Sequence, residues 1–166
     1  MILTKANRAE ELFLMGYGCA QSILGAFSEE AGIDFKSAMR LASGFGGGMG
    51  RMREVCGTMT GAFMVLGLIY GFDEPSPTKK GEIYGRIKEI SDIFKEKNGT
   101  IICRELLENV KTTRGTAPED RTEDYYKRRP CLAHIIYTAE ILEEYIKEHP
   151  KETYNENTRS CQAHSS

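Results

Sequence analysis

Five cysteines punctuate the chain: Cys19, Cys56, Cys103, Cys131 and Cys161. Thiolates ligate metals and attack disulfides, so these side chains have the most chemistry to offer. Their spacing excludes the common local motifs. No C-x-x-C pair occurs, which removes the thioredoxin-type motif, and no C-x-x-C-H, which removes attachment of a c-type haem. An odd count at wide intervals does not read as a disulfide framework. A site shared by several cysteines must therefore be assembled by the fold. Ahead of Cys56 runs Gly44-Phe45-Gly46-Gly47-Gly48-Met49-Gly50-Arg51-Met52-Arg53-Glu54-Val55. Ordered glycine costs backbone entropy, so a run this dense needs a purpose.

Apolar periodicity predicts helix along most of the chain. Thr4 caps a first helix with Ala6, Ala9, Leu12 and Phe13 on one face, ending at Gly16-Tyr17-Gly18. A second starts near Cys19, carries Cys19, Ile23 and Phe27 on one face, and closes at Gly32. A short helix from about Phe35 to Ala42 enters the glycine run. A long one follows from about Arg53 to Gly71, where Gly57 and Gly61 allow another backbone to come close. Beyond the Pro75 and Pro77 loop, Lys79 to Lys97 reads as an amphipathic helix stopped by Asn98-Gly99. Thr100 caps a segment from Ile101 to about Asn109. Lys111 to Lys127 reads as loop. Pro130 opens the last helix, which runs to about Glu148 before Pro150. The expectation is an all-α, single-domain bundle of about six helices over residues 1–150, with a polar tail at 151–166. No strand, repeat or second domain is expected.

On that map Cys19, Cys56, Cys103 and Cys131 each fall at a predicted helix N-terminus. There the helix dipole and unpaired N–H groups favour a thiolate. Arg53, Arg104, Arg128 and Arg129 lie close by in sequence and add to that preference. Glycine without a side chain lets backbone N–H groups approach a bulky anion. A thiolate-ligated iron–sulfur cluster is such an anion, and N–H donors tune its potential. Gly46, Gly47 and Gly48 are thus candidate cofactor-binding residues, with Arg51 and Arg53 compensating charge. A phosphate would be cradled similarly, but neither the P-loop nor the dinucleotide fingerprint is present.

Three chemistries remain open. In the first, the four cysteines ligate an iron–sulfur or related metal centre for electron transfer or redox sensing. In the second, two of them form a metal-free thiol–disulfide couple. A structural zinc ion is the third, although such sites usually draw on C-x-x-C pairs. The plainer alternative is that each cysteine packs as a small hydrophobe. His134, three residues after Cys131, reads as a packed histidine or as a ligand or proton relay. Met49, Met52, Met59 and Met64 read as core filler, and Cys161 as a bystander in the tail.

The formal net charge of −2 argues against a general nucleic-acid binder. The longest apolar run, Gly61 to Phe72, falls short of the ~20 residues a bilayer span needs. No apolar stretch follows a basic start, so no signal peptide and a cytoplasmic setting are expected. The two long amphipathic helices offer faces to a redox partner, an oxidoreductase or a second copy of the chain.

Several stretches together resemble the C_GCAxxG_C_C family of redox-active proteins. They are Gly16-Tyr17-Gly18-Cys19-Ala20-Gln21, Ala42 through Gly50, Cys56-Gly57-Thr58-Met59-Thr60-Gly61-Ala62, Asn98 through Cys103, and Arg129-Pro130-Cys131. The likeness runs from about residue 5 to residue 147. The family's shared cysteines fall on Cys19, Cys56, Cys103 and Cys131. Thr58 stands where alanine is usual and would add a hydroxyl near the site. The resemblance implies a redox role beside oxidoreductase or transporter partners. It also implies an iron–sulfur centre, since a similar domain in split-Soret cytochromes is associated with one. No enzymatic reaction follows from it.

Overall fold

The computed structural model describes residues 4–151, and Cys161 with the rest of the expected tail lies outside them. The described chain forms eight helices and no strand: α1 (Lys5–Leu14), α2 (Cys19–Ala26), α3 (Phe35–Ala42), α4 (Gly57–Tyr70), α5 (Pro77–Asn98), α6 (Cys103–Leu106), α7 (Glu123–Arg128) and α8 (Cys131–Glu148). The all-α expectation holds, with eight helices where about six were expected.

The starts are written in capping chemistry. Thr4 accepts from Asn7 N–H, Asp34 from Ser37 N–H, and Ser76 from Lys79 N–H. Ser76 with Pro77 at the first helical position starts α5 two residues ahead of the expected Lys79. Gly99, at φ 80°, closes it as Asn98-Gly99 predicts.

Three expectations need correction. α4 begins at Gly57, not Arg53, because Arg53 is itself left-handed at φ 63°. α6 spans only Cys103–Leu106 rather than Ile101 to Asn109, since Ile102 is engaged in an isolated antiparallel bridge with Val55. The stretch expected to be loop holds α7, capped by Thr122 accepting from Tyr125 N–H. Its acidic first turn and basic last turn suit the helix dipole.

One core unites the elements, with Phe13, Leu24, Phe27, Leu66, Phe94 and Leu142 fully buried. α1 packs on α2 and α8, and α2 lies along α4. Met59 is core filler as expected, Met49 and Met64 are half-buried, and Met52 is 66% exposed. Among the described residues no helix is long and apolar enough to cross a membrane.

The α2–α4 contact depends on Gly57 and Gly61. A β-carbon on Gly61 would stand 2.9 Å from the Ala20 carbonyl oxygen and 2.9 Å from Ile23 Cβ. Gly61→Val is expected to force the helices apart and to cost about 1–3 kcal/mol, as overpacking does. Gly81 in α5 has no atom within 4 Å of such a carbon, so Gly81→Ala is expected to stabilise by about 0.5–1 kcal/mol. Urea unfolding of the two variants checks both signs.

Candidate cysteine site

All four expected helix-start cysteines are where the dipole argument needs them. Cys19, Cys103 and Cys131 are the first residues of α2, α6 and α8, and Cys56 is the N-cap of α4. All four are free, and all four line one cavity of about 580 Å³.

Two backbone devices hold them there. Residues 53–56 run antiparallel to 101–104. Cys56 N–H donates to Ile101 O at 2.8 Å, and Cys103 N–H to Glu54 O at 2.6 Å. This clip sets Cys56 and Cys103 on adjoining strands of backbone. The second device is the glycine loop, where Gly47, Gly48, Met49, Gly50, Arg51 and Arg53 all have positive φ. Left-handed backbone folds the loop back on itself, with Arg53 N–H donating to Gly47 O and Glu54 N–H to Gly48 O. At Gly48 no side chain fits, because a β-carbon would meet Cys103 Cβ at 2.6 Å. Gly57 is equally constrained, 2.9 Å from Cys19 Cβ by the same measure.

Gly46, Gly47 and Gly48, the candidate cofactor-binding glycines, line the cavity. Among the described residues the Gly47 and Gly48 N–H groups donate no hydrogen bond within the protein.

The arginines are placed differently from their sequence neighbourhoods. Arg53 stands at Cys103, with Nη1 4.0 Å from Sγ, not at Cys56. Arg104 pairs with Glu54 at 2.9 Å, and Arg128 with Asp124 at 2.6 Å. Arg129 does reach the neighbouring cysteine and lies against Cys131. Arg51 lines the cavity, but its guanidinium donates to Gly115 O, Thr113 O and Thr113 Oγ1. It thereby ties the glycine loop to the irregular segment 111–122, which covers one side of the cavity as a strap.

Sequence reasoning missed that strap. Glu119 and Arg121 both line the cavity from it. Arg121 donates to Phe13 O and Tyr17 O and stacks 4.2 Å from the Phe13 ring centre. It thereby ties the strap to the carbonyls on either side of the turn that ends α1. The only available signal was a density of charge in a segment without periodicity.

Burial and mutual proximity decide the thiol protonation. Cys131 alone is lowered, to about 7, chiefly by the hydrogen bond it accepts from Cys19, with Arg129 helping against burial. Cys19, the donor in that bond, is raised well above its ordinary range. Burial pushes Cys56 up to about 11, although Thr58 opposes it with its hydroxyl 3.4 Å from Sγ. Burial also raises Cys103, against the hydrogen bond and charge of Arg53. The preference of a helix start for a thiolate is expressed at Cys131 alone: burial outweighs it at Cys56 and Cys103, and the interaction with Cys131 together with burial outweighs it at Cys19.

His134 lies outside this group. It lines a separate cavity, with its ring edge-on to Phe94 and Nε2 buried without a partner. Among the described residues no group of three or more His, Cys, Asp or Glu side chains is arranged to hold a metal ion.

An all-helical domain whose helix starts gather four free cysteines beneath a glycine loop is built for thiol or thiolate chemistry. The chain belongs to the family described as "Putative redox-active protein (C_GCAxxG_C_C)", which matches residues 17–145. Neither the curated proteins nor the solved structures compared with it give a match.

If Arg51 holds the strap in place, Arg51→Ala is expected to increase trypsin cleavage within residues 111–122 several-fold at unchanged helix content. An unaltered cleavage rate would show that the Thr113 and Gly115 contacts are dispensable.

Proposed function

We propose that Cys19, Cys56, Cys103 and Cys131 together ligate an iron–sulfur cluster or related polynuclear centre, and that the protein uses it for electron transfer or redox sensing. The observation carrying this reading is that four cysteines, far apart in sequence, line one cavity roofed by unused glycine N–H donors. A structural zinc ion needs its four sulfurs about 2.3 Å away on all sides, and such sites usually draw on C-x-x-C pairs, which this sequence lacks. A polynuclear centre spreads its thiolate ligands over several metal atoms, which suits cysteines around a cavity wall. This argues against structural zinc. When bound, such a cluster supplies one-electron chemistry at thiolate-ligated iron.

The chain's own residues supply the rest. Metal binding deprotonates thiols, so a cationic centre would offset the burial and mutual proximity that keep three of them protonated. Gly46, Gly47 and Gly48 would present backbone to such a cluster, with Gly47 and Gly48 offering N–H groups that have no partner in the protein. Arg53 at Cys103 and Arg129 at Cys131 would balance its negative charge, while Arg51 holds the covering strap. Free thiols fit a reducing compartment such as the cytoplasm, and electrons would pass to or from a partner protein or oxidoreductase.

A second reading rests on Cys19 and Cys131 lining the same cavity and shifting each other's protonation in opposite directions. With no metal involved, these two thiols would join as one disulfide by exchange with a partner's disulfide, which is reduced to two thiols.

Purification without exposure to air distinguishes them. The cluster reading expects iron with matching acid-labile sulfide, an EPR signal in one redox state, and loss of iron in each of Cys19→Ser, Cys56→Ser, Cys103→Ser and Cys131→Ser. An iron-free chain that resists reconstitution would overturn it. The dithiol reading then expects a lower thiol titre after oxidation, and equal titres would exclude that too.

A further inference from the structure

Guanidinium groups outnumber carboxylates in the wall of the shared cavity. Arg51, Arg53, Arg121 and Arg129 line it, against one carboxylate, Glu119. Glu119 is already engaged, pairing with Arg129 at 2.5 Å, facing Arg128 at 3.7 Å and accepting from Thr113 N–H at 3.0 Å. Among the described residues Arg51, Arg53 and Arg121 form no ion pair with any carboxylate.

Arg129 points most directly to a ligand. Its side chain is 5% exposed, yet its Nε is buried without a hydrogen-bond partner. Buried donors are nearly always satisfied. Gly48 repeats the pattern in backbone: it is buried, lines the same cavity, and its N–H finds no acceptor among the described residues. Arg53 stands at Cys103, with Nη1 4.0 Å from Sγ, and Arg129 lines the same cavity, so the two guanidinium groups border one space. The cavity, at about 580 Å³, falls within the ~300–1,000 Å³ of pockets that take whole small molecules. Its strap side, with Pro118 and Arg121, carries no cysteine at all.

We propose that this cavity binds a small oxyanion-bearing molecule, a carboxylate or an inorganic oxyanion, held beside the cysteines by Arg129, Arg53 and the Gly48 N–H. A planar guanidinium fork matches the oxygen pair of such a group better than it matches a spherical halide. The proposal names a ligand class for the site described above. It rests on that cavity being the functional site, but not on which metal the cysteines hold.

The full chain as isolated, with its iron and sulfide content measured, is titrated with succinate, sulfate and phosphate by calorimetry. Chloride at matched ionic strength serves as the control, because screening alone is not selective. Saturable one-to-one binding is expected, weakened about tenfold in Arg53→Gln by loss of a charge-assisted contact. Arg104→Gln, which alters an arginine paired with Glu54 outside the cavity wall, is expected to bind like the parent chain. Arg129→Gln should also weaken binding, and if its loss unfolds the protein, Arg53→Gln decides alone. Tighter binding of succinate identifies an organic carboxylate as the ligand, and tighter binding of sulfate or phosphate an inorganic one. Absence of saturation, equal binding of chloride, or unchanged binding in Arg53→Gln would overturn the proposal. Anion binding by a chain that is iron-free and resists reconstitution would retain this inference and remove the cluster reading. An iron-loaded chain that binds no anion would do the reverse.

Discussion

Two cysteine β-carbons are pressed directly onto glycine, Cys103 onto Gly48 and Cys19 onto Gly57. At both places a methyl group would collide with the cysteine it faces, so main chain, not side chain, sets the position of each sulfur. Everything else about the site follows from that contact. Side chains hop between rotamers, whereas a packed backbone does so only when the surrounding elements move. Residues 44–57 therefore work as a fixed template. They close the α2–α4 gap at one end and press on Cys103 at the other. Left-handed φ at six positions from Gly47 to Arg53 makes that shape, and glycine occupies three of them because it adopts such φ without steric cost.

Much of this was legible in the sequence because it is local. Thr4 and Asn98-Gly99 report helix ends through bonds to neighbours a few residues away. The cysteines at helix starts could be read for the same reason, and so could the close approach at Gly57 and Gly61. What could not be read is tertiary. Nothing near Arg53 says that it serves Cys103, fifty residues on, and nothing near Val55 announces a bridge to Ile102. The 111–122 strap has no period to detect, since its order comes from Arg51 and Arg129 reaching in from elsewhere and from its own Arg121 reaching out to Phe13 and Tyr17. α7 was hidden because its six residues are too few to establish an apolar stripe.

The protonation pattern shows two influences in competition. A helix start and a nearby guanidinium each favour the thiolate by an amount that falls off quickly with distance. Burial in a shared cavity opposes it, and each additional thiolate would repel the others. Cys131 succeeds because Cys19 donates to it and Arg129 stands beside it. Its partner pays with a proton held more tightly. The arrangement therefore distinguishes among cysteines that look equivalent in sequence.

The strap and the helices around it differ in what keeps them ordered. The helices share a dry core from Phe13 to Leu142 and come apart only together. Segment 111–122 is secured by a few polar ties at its margins. Openings of the strap are accordingly sub-global events that leave the bundle intact. Ligand exchange and solvent entry then have their own clock, set by guanidinium–carbonyl bonds and independent of the melting of the fold.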